Sequence, residues 1–159
     1  MLTTRAATVE DASLITAQRR AMFEEAVLPR PPLLDAMALQ FEPWVRHRLE
    51  NGSYLGWIIE EDGRSVAGAG LWVMDFPPHF LHPEAGRGYL LNFYVAPSHR
   101  GQGLARELLA ISIAAARELG LRVVTLHASR FGKPLYEQNG FRLNNEMITL
   151  TDGSADATV

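Results

Sequence analysis

The run Val95-Ala96-Pro97-Ser98-His99-Arg100-Gly101-Gln102-Gly103-Leu104-Ala105 places two glycines and a cation between an apolar segment and a long helical pattern. A helix N-terminus offers unpaired backbone N–H groups and a partial positive charge. Such groups bind phosphate or pyrophosphate when no side chain blocks the approach. Gly101 and Gly103 clear that approach, and Arg100 adds a positive charge. The same residues also suit a tight strand-to-helix turn that needs glycine for its backbone alone. The chain has no Gly-Lys-Ser or Gly-Lys-Thr, which disfavours a nucleotide triphosphatase loop. A dinucleotide fold would place its glycine turn after the first strand. Here the turn lies two thirds of the way along, so the expected ligand is phosphorylated but is neither a nucleoside triphosphate nor NAD.

Two further stretches sharpen that expectation. Asn92-Phe93-Tyr94-Val95-Ala96-Pro97 precedes the turn, and Leu135-Tyr136-Glu137-Gln138-Asn139-Gly140-Phe141 follows downstream. With these flanks, Arg100-x-x-Gly103-x-Ala105 resembles the Gln/Arg-x-x-Gly-x-Gly/Ala signature of the GCN5-related N-acetyltransferases. The downstream stretch resembles that family's Leu-Tyr-Glu-x-x-Gly-Phe at its usual distance. The opening Arg5-Ala6-Ala7-Thr8-x-x-Asp11 looks like the family's first strand and helix cap.

The resemblance implies transfer of an acetyl group from acetyl-CoA to an amine. It implies that the backbone of Phe93, Tyr94 and Val95 pairs with the pantetheine arm. It further implies that Arg100, Gly101, Gln102, Gly103, Leu104 and Ala105 cradle the pyrophosphate. Ser129 stands where the family often has a pantetheine-binding Asn, and it is a shorter hydrogen-bonding residue. Gly132 stands at the family's small residue. Tyr136 occupies the position of the general acid. A tyrosine hydroxyl with an ordinary pKa of ~10 can protonate a leaving thiolate. An oxyanion formed on the way is stabilised by backbone N–H groups, and the amide near Val95 is the candidate. Asn92 lies beside the thioester in this arrangement, either touching the acceptor or marking a strand irregularity. Phe23, Phe41, Trp44, Trp57, Trp72, Phe76 and Phe80 could line an acceptor pocket, although most aromatics are core, and of these Phe23, Phe41, Phe76 and Phe80 fall in segments that the family uses around the acceptor. Candidate bases are Glu24, Glu25, His79, His82, Glu84 and His127, although each alone reads more readily as a surface group.

The expected acceptor is a small-molecule amine, with a peptide or protein amine as the alternative. A non-catalytic acyl-CoA-binding sensor or partner module is the rival reading, and the retained Tyr136 argues against it. No metal is expected, because His79, His82 and Glu84 sit in a loop that imposes no ligand geometry.

Composition agrees with a globular domain. The 159 residues carry a formal net charge of −3, which disfavours a nucleic-acid partner. Cysteine is absent, so disulfides, thiolate metal sites and a cysteine nucleophile are excluded. No apolar run approaches the ~20 residues of a membrane span, and the first residues lack a signal-peptide core. A cytoplasmic protein without a membrane partner is expected, with room for a homodimer.

The elements that must position these residues follow from periodicity and breakers. Strands are expected at Leu2–Ala7, Tyr54–Glu60, Ser65–Phe76, Tyr89–Val95, Arg122–His127 and Phe141–Leu150. Asp62-Gly63 should turn a hairpin. Thr8 and Asp11 should start a first helix, which Pro29 ends. A second helix is expected over Leu33–Asn51, interrupted or kinked near Pro43. Leu104–Leu119 is a third, with one apolar face, and Pro134–Gln138 a short fourth. The predicted fold class is α/β: a mixed, mostly antiparallel central sheet flanked by helices, of the GCN5-related acyltransferase kind. One domain is expected over 1–151, with 152–159 as a tail.

Overall fold

The computed structural model describes residues 1–26 and 31–147. Two compact units result, one over Met1–His127 and a second beginning at Ala128.

In the first unit five strands lie in sequence order: β1 (Leu2–Ala6), β2 (Tyr54–Glu61), β3 (Arg64–Met74), β4 (Arg87–Val95) and β5 (Val124–Leu126). The pairings β1–β2, β2–β3 and β3–β4 are antiparallel, and β4–β5 is parallel. The mixed, mostly antiparallel sheet is the expected one. Asp62 and Gly63 both take positive φ, 50° and 77°, as a tight hairpin between β2 and β3 requires.

Three helices cover this sheet: α1 (Ala12–Ala26), α2 (Pro31–Glu50) and α3 (Leu104–Glu118). One apolar cluster joins Leu104 and Leu108 of α3 to Ile59, Val66, Ala67 and Ala69. Another joins Ala12 and Ile15 of α1 to Phe41 and Val45 of α2 and Tyr54 of β2. The sheet is therefore buried by α3 through one cluster and by the α1–α2 pair through the other.

The entry to α1 is fixed by charge. The Thr8 N–H donates to Asp11 Oδ2 at 2.7 Å, as the sequence led us to expect of a capping acid. Arg5 donates to both Asp11 oxygens at 2.8 Å and, from Nε, to Glu60 at 3.0 Å. First strand, first helix and second strand are thus tied at one point.

Two expectations change. The second helix runs continuously through Pro43. Proline removes one hydrogen bond from the ladder, but Pro43 and Leu39, whose carbonyl loses it, are exposed, while Phe41 and Val45 are buried and hold the helix down. The expected last strand, Phe141–Leu150, is not formed over 141–147, and its last three residues lie outside the described ones. Leu143 and Met147 are exposed, and the Asn144 side chain accepts from the Asn145 N–H at 2.8 Å. Such local bonding competes with a strand ladder.

The second unit contains α4 (Lys133–Gln138). Its start is held by Ser129, whose Oγ and carbonyl accept from the Gly132 N–H at 3.1 Å each.

Candidate functional site

Strand β4 is the axis of the site, and it is irregular where the chemistry is expected. Against β3, Leu91 faces Gly70 while Tyr94 faces Gly68, so Asn92 and Phe93 together oppose Ala69. This is a β-bulge, with two residues against one. Asn92 takes φ of 59° to make it, a value that asparagine tolerates better than most side chains. The strand irregularity weighed for Asn92 is present.

The bulge is held by side chains. Asn92 is 2% exposed, and its Nδ2 donates to Tyr54 Oη at 2.9 Å. Arg19 Nη1 donates to Asn92 Oδ1 at 2.9 Å. Burial pushes the Tyr54 hydroxyl well above the ordinary tyrosine value, so it stays protonated. Gly70 makes room for this arrangement, because a Cβ there would overlap the Tyr54 hydroxyl.

On its other edge β4 pairs with β5 only over Gly88–Leu90. Among the described residues the β4–β5 ladder ends at Leu90, while Tyr94 and Val95 pair with β3 and Asn92 and Phe93 form the bulge. That side of β4 is an edge that an extended ligand can use as a strand uses its neighbour. Phe93 and Val95 pack their side chains on the α3 cluster, which anchors the backbone.

The glycine turn follows directly. The Ala96 N–H donates to the Val66 carbonyl at 2.8 Å, and His99 Nε2 lies 3.0 Å from Glu61 Oε2. These contacts pin the turn to β2 and β3. Gly101 and Gly103 take φ of 75° and 85°, and a Cβ at either would meet open space. Gly103 caps α3 without a side-chain hydrogen bond, so the first amides of the helix carry no side-chain cap. Leu104 turns its side chain into the core, which leaves its backbone for a ligand. Ala105 is small and half-buried, and Gln102 Nε2 reaches the Ser98 carbonyl at 3.4 Å. These features fit a pyrophosphate: an uncapped helix N-terminus approached through space that no side chain fills.

Arg100 is held within the fold. Its Nε donates to the Val95 carbonyl at 3.1 Å and its Nη2 to Glu25 at 2.5 Å. Its cation is thus shared between the turn and α1.

In the second unit Tyr136 sits on α4, buried to 9% exposure, with its ring edge-on to Phe141 at 5.7 Å. Burial pushes its pKa up to about 12. Ser129 is the helix-start residue already described.

The remaining candidates disperse. Phe23 stacks under the Arg19 guanidinium at 4.8 Å. Phe80 is 85% exposed and pairs its ring with His79 at 4.3 Å. His82 is buried, 3.2 Å from Glu84. His127 hydrogen-bonds the Tyr89 hydroxyl across β4 and β5. No group of three His, Asp or Glu residues is placed to hold a metal among the described residues.

Sequence reasoning missed Arg19, which lines a cleft together with aromatics it had offered for an acceptor pocket. That cleft has a volume of about 420 Å³, with Phe41, Trp44, Trp72, Tyr89 and Leu91 among its walls. The signal for Arg19 was its spacing: Ala12, Ile15, Arg19 and Phe23 fall on one helix face.

Residues 17–141 match the model of the acetyltransferase (GNAT) family. A crystal structure of a GCN5-related N-acetyltransferase from Ralstonia eutropha JMP134 superposes with a TM-score of 0.91 at 40% identity, covering 96% of this chain and 100% of that one. A predicted acetyltransferase of Clostridium acetobutylicum, solved with acetyl-CoA, gives 0.85 at 29% identity over 94% of this chain and 96% of its own. An uncharacterised N-acetyltransferase of Bacillus subtilis, YycN, is 30% identical over 97 residues. That match spans 59% of this chain and 59% of the Bacillus protein.

Proposed function

The chain belongs to the acetyltransferase (GNAT) family, and on that footing we propose that it transfers an acetyl group from acetyl-CoA to the primary amine of a small molecule. The observation that carries the reading is the continuity of two ligand-ready features on one stretch of chain. Among the described residues strand β4 has no β5 partner after Leu90, and it leads through Gly101 and Gly103 into a helix N-terminus without a side-chain cap. Pantetheine on the first and pyrophosphate on the second account for both. The solved Clostridium neighbour, which contains acetyl-CoA, supports the same co-substrate.

In this reading Phe93, Tyr94 and Val95 hold the pantetheine by backbone hydrogen bonds. The amides of Gly101 to Ala105 hold the pyrophosphate, and Arg100 stiffens the turn through Glu25. The neutral amine attacks the thioester carbonyl. A C–N bond forms, the C–S bond breaks, and the proton that the amine loses passes through solvent to restore the Tyr136 hydroxyl. An amide of β4 near Val95 stabilises the developing oxyanion. Tyr136 gives its proton to the departing thiolate. Its buried hydroxyl keeps that proton throughout the neutral range, since its pKa is pushed up to about 12. Ser129, with a hydroxyl hydrogen free to donate, is a second contact for the pantetheine arm.

The test is incubation with acetyl-CoA and a panel of primary amines, following release of the CoA thiol and formation of the amide by mass spectrometry. Amine-dependent release with matching amide is expected. Tight acetyl-CoA binding with no amide from any amine would contradict the reading and favour a binding module.

A further inference from the structure

We infer that the cleft between α1, α2 and the sheet selects amines that also bear a carboxylate on an apolar body, and that Arg19 is the residue that receives it. The inference rests on the acetyltransferase reading for the role of the amine, but not for the anion site itself.

Arg19 is the charged member of an otherwise nearly apolar wall. Phe41, Trp44, Trp72, Tyr89 and Leu91 line the cleft beside it. Its guanidinium lies 4.7 Å from the centre of the Phe41 ring and 4.8 Å from that of Phe23. Among the described residues no carboxylate pairs with it, although Arg5, Arg20, Arg46 and Arg100 each have one. Its Nε is buried without a hydrogen-bond partner, and Nη1 is given to Asn92.

A desolvated guanidinium without a counter-charge is costly, because burial penalises its charged form. Aromatic faces offset part of that cost through their quadrupoles. Neither the rings nor a neutral amide neutralises the charge. A carboxylate would do so in the planar, two-bond geometry that arginine favours. One unpaired cation calls for one negative charge, which a carboxylate supplies. The aromatic walls then take the apolar body of the same molecule.

The location suits an acceptor. Leu91 lines the cleft and Asn92, held by Arg19, is the next residue of β4. From Asn92 to Val95 runs the edge assigned above to the thioester arm. A carboxylate on Arg19 therefore leaves an amine on a short spacer close to that edge.

Binding is read without turnover, from the fluorescence of Trp44 and Trp72. The probes are 3-phenylpropionate and its uncharged counterpart 3-phenylpropanol, titrated into the wild-type chain and into Arg19→Gln and Arg19→Lys. Gln keeps a donor for Asn92 while losing the charge. Wild type should prefer the carboxylate by about 10–100-fold, the worth of a charge-assisted hydrogen bond. Arg19→Gln should lose that preference and Arg19→Lys should keep part of it. Equal binding of the two probes by wild type overturns the inference, whether or not either variant folds. A parallel assay compares phenylalanine with 2-phenylethylamine as acetyl acceptors. Acetylation of both at equal efficiency would overturn the inference and leave the acetyltransferase reading standing. Carboxylate-selective binding with no acetylation of any amine would uphold the anion site and count against the reading.

Discussion

Asn92 Nδ2 donates to Tyr54 Oη at 2.9 Å, so a residue of the second strand holds the bulge in the fourth. Both groups are buried. The Tyr54 hydroxyl is thus a structural part of the site although it lies two strands away from the turn. Tyr54→Phe would leave the Asn92 Nδ2 without that acceptor, at a cost of about 1–3 kcal/mol. Thermal unfolding should shift down by roughly 2–4 °C per kcal/mol, with acetyl transfer impaired in the fraction that remains folded.

Gly70 should be sensitive in the same way. A Cβ there overlaps the Tyr54 hydroxyl and ring, neither of which can swing aside from the aromatic cluster around Trp44 and Trp72. Gly70→Ala should cost about 1–3 kcal/mol as an overpacking change and should lower acceptor binding more than CoA binding. Equilibrium denaturation and paired titrations check both parts.

The Arg5–Asp11 pair predicts a direction for acid stability. Hydrogen bonding from Arg5 holds the Asp11 carboxyl below the usual carboxylate value. A depressed folded pKa contributes stability that is present above the ordinary value of about 4 and is lost as pH falls through the lower, folded one. Urea midpoints should therefore fall between pH 5 and strongly acid conditions. Asp11→Asn should be less stable than wild type near pH 7, and the gap should narrow on acidification. A constant gap across that range would argue against the pairing.

Gly103→Val tests the turn against a matched control. Gly103 and Gly120 both have positive φ, 85° and 72°, and open space around the missing Cβ. Valine at either position meets the same backbone penalty, since a β-branched residue rarely takes that conformation. Gly103→Val should weaken CoA binding by at least about tenfold, equivalent to ~1.4 kcal/mol. Gly120→Val, at the far end of α3, should match its loss of stability and keep CoA affinity. Calorimetric titration of both variants separates backbone strain from the loss of a ligand site.

Much of this was legible in the sequence because it is local. The β4–turn–α3 unit, the Asp62-Gly63 hairpin and the Thr8–Asp11 helix start are written in contiguous residues, and all of them form. Phe141–Met147 was over-read, because alternating apolar residues make a strand only when a partner ladder outcompetes local asparagine bonding. An interruption at Pro43 was over-read for a related reason: buried neighbours outweighed the one missing hydrogen bond, and the helix continues. The place of Arg19 among the pocket aromatics was hidden for the opposite reason. Arg19, Phe41, Trp72 and Tyr89 come from four elements, and their meeting depends on tertiary packing. Asn92 was ambiguous in the sequence, and the structure gives it the strand irregularity as a backbone and two hydrogen bonds as a side chain.

Acetyl transfer through Tyr136 is tested most directly by one comparison. Wild type and Tyr136→Phe are given isotope-labelled acetyl-CoA and a primary amine, and labelled amide, CoA affinity and melting temperature are measured on the same preparations. The Phe variant should make amide ~10²–10⁴-fold more slowly, with CoA affinity and melting temperature little changed. The wild-type rate should show no alkaline fall below about pH 10, because burial pushes the Tyr136 pKa up to about 12. A Phe variant that forms amide at the wild-type rate would contradict the assignment of Tyr136 and leave it a packing residue.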